Sequence, residues 1–121
     1  GQDIVVTKYL GMEGTGIIAN EKEDELKEWF SDTFIEDAKA FLNDISVVPE
    51  GLIARKYASC MHDITEGGIY GALWEISKAS GVGVEVCIED IPLRQHTIEF
   101  CERYDLNPYQ LISSGSMLIT T

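Results

Sequence analysis

Met61-His62-Asp63-Ile64-Thr65-Glu66-Gly67-Gly68-Ile69 constrains this chain more than any other stretch. A short strand-like run over 58–61 leads into it, and a helical apolar rhythm leaves it and ends near Gly81. The pattern predicts a strand end, a tight polar turn and a helix start. Asp63 and Thr65 are residue types that cap free N–H groups, and Gly67 and Gly68 let the backbone fold without a Cβ clash. The first N–H groups of a helix lack internal partners and carry partial positive charge, so a phosphate or carboxylate can sit over Gly67 and Gly68. Glu66 opposes that use. Its carboxylate already complements the helix dipole and repels an anion unless it points away or a metal ion intervenes. The rival reading is a turn that only joins a strand to a helix.

Further along, the same local rules place the other elements. Ile4-Val5-Val6-Thr7 reads as a strand closed by Gly11, and Gly14-Thr15-Gly16 opens a short helix, a second glycine-rich strand-to-helix turn. The charge run over 21–25, followed by Leu26, Trp29 and Phe30, predicts a surface helix. Ser31 or Asp32 caps the next helix, whose Phe34, Ala38, Phe41 and Leu42 recur at helical spacing and read as core. Pro49 suits the first turn of a helix running through Leu52, Ile53 and Lys56, because its missing N–H is not needed there.

Ile69, Ala72, Leu73, Ile76 and Ala79 form one face of the helix after the glycine pair, closed by Gly81 as its C′ residue. Val82, Val84, Val86 and Ile88 alternate with Gly83, Glu85, Cys87 and Glu89, which predicts a strand. Leu93, Thr97, Phe100, Cys101 and Tyr104 fit an amphipathic helix on which His96 is exposed or half-buried. Ser113-Ser114-Gly115-Ser116 leads into a last strand, Met117-Leu118-Ile119-Thr120. Intermixed strands and helices make an α+β or α/β layered sheet the expected class.

Composition narrows the function. The chain has 121 residues, 45% of them hydrophobic, enough for one domain with its own core. A net charge of −12 without a basic cluster disfavours nucleic acid as a partner. No apolar run is long enough to span a membrane and no signal peptide is visible, so the expected address is cytoplasmic. Cys60, Cys87 and Cys101 lie at wide spacings without a CxxC and read as reduced, structural thiols. Cys60-x-His62-Asp63 makes a metal corner but lacks the further ligands of a zinc site, so no metal ligands are assigned.

His62-Asp63-x-Thr65-x-Gly67-Gly68, then Ala72-Leu73-x-Glu75-Ile76, Ser80-Gly81-Val82-Gly83-Val84 and Ile91-Pro92, resemble the C-terminal domain of the aminoimidazole ribonucleotide (AIR) synthase-related superfamily. Asp3-Ile4-Val5-Val6-Thr7-Lys8, Gly11-x-Glu13-Gly14-Thr15 and Ser113-Ser114-Gly115-Ser116-Met117-Leu118 extend the resemblance over nearly the whole chain. It is strongest to the hydrogenase maturation factor branch, which makes the cyanide ligand of nickel–iron hydrogenases by ATP-dependent dehydration of a thiocarboxamide.

The resemblance implies an α+β fold with a mixed β-sheet covered by helices in layers. It also implies that residues 1–121 are one domain, excised from a longer chain whose N-terminal domain binds ATP and Mg2+. On this reading the parent is an ATP-dependent enzyme and the isolated domain, inactive, holds no cofactor. The implied partners are the N-terminal domain of the same parent chain, a homodimer mate and a maturation-partner protein.

The site residues it implies are His62 and Asp63 as catalytic, with Thr65, Glu66, Gly67, Gly68, Glu13, Gly14, Thr15, Ser114 and Gly115 binding substrate. Asp63 either caps the turn or helps to hold magnesium; His62 either orients an oxyanion or satisfies the core. Two departures stand out. Maturation factors place Pro-Thr-Arg where this chain has Ile64-Thr65-Glu66, and their modified cysteine lies at the extreme C-terminus, so Cys60, Cys87 and Cys101 do not inherit its role. The alternatives are a domain of another branch, such as one resembling the purine-biosynthesis enzymes, and a non-catalytic interaction module with an acidic surface.

Overall fold

In a computed structural model, which describes residues 1–121, three short strands form one sheet and six helices pack around it. The strands are β1 (Ile4–Val6), β2 (Cys60–Ile64) and β3 (Ser116–Thr120), in the order β1-β3-β2. Both pairings are antiparallel: Ile4 lies opposite Thr120, and His62 lies opposite Leu118. A single parallel bridge joins Leu10 to Leu93. The expected α+β class therefore holds, with a small sheet.

The helices are α1 (Met12–Glu21), α2 (Glu23–Leu26), α3 (Asp32–Ala40), α4 (Val48–Ala54), α5 (Gly68–Ser80) and α6 (Gln95–Arg103). α5 forms because its apolar residues return every three or four positions. Ile69, Ala72, Leu73 and Ile76 are buried against Ile64 and Leu118 of the sheet and against Leu10. Burying a side chain such as Ile69 or Ile76 contributes about 1.5–3 kcal/mol. Gly81 ends the helix in the left-handed conformation, and its N–H donates to Ser77 O.

A second core of Ala19, Leu26, Ile35, Ala38 and Phe100 joins α1, α2, α3 and α6. Ser31 caps α3 by accepting from Phe34 N–H at 3.2 Å, and Pro49 sits in the first turn of α4. Lys8 ties the end of β1 to the chain before α4. Its Nζ donates to the carbonyls of Asp44 and Ser46 and meets Glu50 Oε1 at 3.0 Å.

Four expectations are corrected. Residues 82–88 are not a strand: no neighbour pairs with them, and only a 3-10 turn, Ile88–Asp90, forms there. The helix in the charge run stops after one turn, at Leu26, leaving Trp29 exposed under the guanidinium of Arg103 at 3.6 Å. Ala79 lies exposed at the end of α5. His96 is buried, because Phe34 stacks on its ring at 4.1 Å and Phe41 meets it edge-on at 5.2 Å.

All three cysteines are free: Cys60 and Cys87 are exposed, and Cys101 is buried, its thiol pushed up to about 11 by desolvation. No helix is long and apolar enough to cross a membrane.

Candidate functional site

The two glycine-rich helix starts and the entrance to β3 meet at one end of the sheet. Residues 109–113 bracket them. Gly11, left-handed at φ 71°, starts α1, and its N–H donates to Ser113 Oγ at 2.8 Å. Gly14 N–H donates to Ile112 O at 3.1 Å. On the other side, Tyr70 N–H of α5 donates to Tyr109 O at 3.3 Å, and Ser113 N–H donates to Thr65 O at 3.2 Å. Sequence reasoning did not assign Ser113 to the site, although it stands in the quoted entrance to β3.

The glycines are required by close approach. A Cβ on Gly68, at φ 61°, would meet Tyr109 O at 2.4 Å, and one on Gly14 would meet the Leu111 side chain at 2.4 Å. Gly115, at φ 111°, lies against Asp44 O, which a Cβ would meet at 2.7 Å. Thr15 is fully buried; its hydroxyl donates to Gly11 O at 2.7 Å and pairs with Thr97 Oγ1 at 2.8 Å. Gly14, Thr15, Gly68 and Gly115 are thus packing elements, sealed from solvent. Asp63, Thr65, Glu66 and Gly67 form the exposed rim, and His62, Glu13 and Ser114 are half-buried.

His62 and Asp63 belong to β2 and not to the turn, because the strand continues to Ile64 opposite Ser116. Successive strand residues point to opposite faces. His62 turns toward α5, where Nε2 meets Glu75 Oε2 at 2.5 Å, while Nδ1 lies 2.5 Å from Asp63 O. Both ring nitrogens face acceptors, so both bonds form when each carries a proton. Asp63 shares the other face with Met117. The turn is capped differently from expectation: the left-handed Gly67 precedes α5, and no side chain caps it. Glu75 was missed as a partner of His62; thirteen residues of separation carry no local signal.

A model of the AIR synthase related protein, C-terminal domain, matches residues 1–121. The chain belongs to this family. Carbamoyl dehydratase HypE of Azotobacter vinelandii is 32% identical over 73 residues, 56% of this chain and 21% of that protein. A putative hydrogenase expression/formation protein of Methanocaldococcus jannaschii is 25% identical over 122 residues, 98% of this chain and 33% of that protein. The chain therefore spans a third or less of the length of these relatives.

Among solved structures, E. coli HypE, a hydrogenase maturation protein, superposes at a TM-score of 0.76, with 22% identity over 100% of this chain and 35% of that one. Thiamine monophosphate kinase of Aquifex aeolicus superposes at 0.72, with 24% identity over 99% of this chain and 41% of that one. HypE in complex with ATP does so at 0.66, with 17% identity, covering 99% and 34%. These likenesses establish the AIR synthase-related C-terminal fold.

The residues of this AIR synthase-related domain do not fit the magnesium of a nucleotide triphosphate. Four N–H donors around the helix starts are engaged, Gly11 by Ser113 Oγ, Gly14 by Ile112 O, Gly68 by Thr65 O and Tyr70 by Tyr109 O, whereas those of Met12, Glu13 and Ile69 have no backbone acceptor. No group of three or more His, Cys, Asp or Glu side chains is arranged to hold a metal ion. A cavity of about 1000 Å3 lies elsewhere, between β1 and residues 82–87, and none of the site residues named above lines it.

Proposed function

We propose that this chain is the substrate-side domain of an ATP-dependent enzyme acting, like carbamoyl dehydratase HypE, on a carboxamide carried by sulfur. The observation that carries the reading is the exposed rim Asp63-x-Thr65-Glu66-Gly67, held open at the end of β2 by the bracket of residues 109–113. Converting a thiocarboxamide to a thiocyanate removes two protons from nitrogen and the oxygen from carbon. Asp63 and Glu66 supply carboxylates that accept protons from the amide nitrogen, and Thr65 supplies a hydroxyl for the departing oxygen. His62, facing the other way against Glu75, orients the strand and does not touch substrate. ATP and Mg2+ are held by a companion domain of the parent protein, because no carboxylate cluster here is arranged to hold the cation.

Glu66 favours one second reading. A carboxylate where maturation factors carry arginine suits a substrate of different charge, as in another branch of the family.

The test is turnover of a thiocarboxamide-bearing peptide with ATP by the full-length enzyme that carries this domain. Asp63→Asn and Glu66→Gln are expected to lower kcat with unchanged melting temperature. Full turnover in both variants rules out the rim as the site. Wild-type enzyme that consumes ATP only with a different class of substrate supports the second reading.

A further inference from the structure

Two tyrosine rings stand beside the rim, and Tyr70 is not part of the stripe that seats α5. Ile69, Ala72, Leu73 and Ile76 are buried toward the sheet, whereas Tyr70 is 37% exposed, three residues along from Gly67. Its ring stacks on that of Tyr109, centroids 5.6 Å apart and planes 24° from parallel. Tyr109 is the fixed member of the pair. It packs against the core beneath α5, its N–H donates to Asn107 Oδ1 at 3.0 Å, and its carbonyl accepts from Tyr70 N–H at 3.3 Å. That carbonyl also occupies the space a Cβ on Gly68 would need, so the stack is tied to the glycine pair that closes the rim.

Tyr offers a broad flat face with few rotatable bonds, and a ring already stacked on a neighbour loses little freedom when a ligand covers it. A carboxamide suits such a surface. The group is planar with its polar atoms at the edges, and a site that works on those edges covers a face with something flat that leaves the edge partners free. Asp63, Thr65 and Glu66 are partners for the edges; their small polar ends cover no face.

We propose that Tyr70, held by Tyr109, is the specificity-determining residue of the rim: the flat carboxamide lies on its ring while the nitrogen and oxygen turn to Asp63, Glu66 and Thr65. This role rests on the rim being the substrate site, as proposed above. Tyr70 touches substrate, and Tyr109 is a positioning residue that acts through the Tyr70 ring.

The test is steady-state kinetics of the full-length enzyme on the thiocarboxamide-bearing peptide with ATP. Tyr70→Leu keeps an apolar side chain without a flat face, and is expected to raise KM for the peptide about tenfold while kcat, KM for ATP and melting temperature stay unchanged. Tyr70→Phe keeps the face and is expected to remain within about twofold of wild type. Tyr109→Leu is expected to raise the peptide KM about threefold. In the double variant Tyr70→Leu/Tyr109→Leu the peptide KM is expected to equal that of Tyr70→Leu alone, because the ring that Tyr109 supports is gone.

An unchanged peptide KM in Tyr70→Leu overturns the proposal. So does a rise in KM for peptide and ATP together with a lowered melting temperature, which would make Tyr70 a structural residue of α5. Where Asp63→Asn and Glu66→Gln lower kcat but Tyr70→Leu changes nothing, the rim stands and the platform falls. Where none of the three variants changes turnover, or the wild-type enzyme does not consume the peptide, both fall.

Discussion

His62 and Asp63 are neighbours in sequence yet leave β2 on opposite faces, His62 toward Glu75 of α5 and Asp63 toward the side shared with Met117. A catalytic pair drawn from their adjacency is therefore divided by the sheet itself. What links them is a backbone atom: the imidazole Nδ1 meets the Asp63 carbonyl. Asp63 is free to serve the rim while His62 fixes the strand that presents it.

Asp63 is exposed and caps no helix. Asp63→Ala is therefore expected to change stability by no more than about 0.5 kcal/mol, the usual range for a surface substitution. Urea melts of wild type and variant decide it. A loss near the roughly 1 kcal/mol of a broken cap would return Asp63 to a structural role.

The paired glycines are expected to behave unequally. An alanine at Gly67 meets only Gly71 Cα at 3.6 Å, so it bears mainly the cost of a positive φ, about 1–2 kcal/mol. At Gly68 the same methyl also runs into Tyr109 O at 2.4 Å, and a cost of about 3 kcal/mol or more is expected. Equal midpoints for Gly67→Ala and Gly68→Ala would mean that residues 109–113 yield.

Thr15 and Thr97 share a buried hydroxyl pair at 2.8 Å between α1 and α6. Thr15→Val leaves the Thr97 hydroxyl with a lost partner, as Thr97→Val does for Thr15, at about 1–3 kcal/mol each. The double variant is expected to cost less than the sum. Strict additivity in a double-mutant cycle would show that the two hydroxyls do not interact.

His96 gives the fold a pH dependence. Burial between Phe34 and Phe41, then repulsion from Arg94, lowers its proton affinity, and Asp37 opposes them. With the folded value below the unfolded one of 6.5, the unfolded chain takes up the proton first as pH falls. The stability His96 contributes is therefore complete above about pH 6.5 and is lost as pH falls from there through the folded value. Denaturant midpoints from about pH 7.5 down to 5 are expected to fall less steeply in His96→Phe than in wild type. Parallel slopes would assign the acid sensitivity to the carboxylates.

Helices were the most legible part of the chain because their hydrogen bonds and caps lie within a few residues of each other. The apolar stripe of α5, its Gly81 terminus, the Ser31 cap and Pro49 in α4 all follow from such local rules. Order and type of motifs also determined the family, since spacing along the chain is sequence information. The tertiary structure decided whatever depends on a partner distant in sequence. Residues 82–88 carry a strand pattern and form no strand, because ladder bonds come from a neighbour and none stands beside them. β2 reaches Ile64 because Ser116 pairs with it, which moves His62 and Asp63 out of the turn. His96 is buried by rings from before and after residue 40, and the N–H groups of Gly11, Gly14 and Tyr70 are claimed by residues 109–113. A helical rhythm shows which face seeks cover, but only the folded chain shows what covers it.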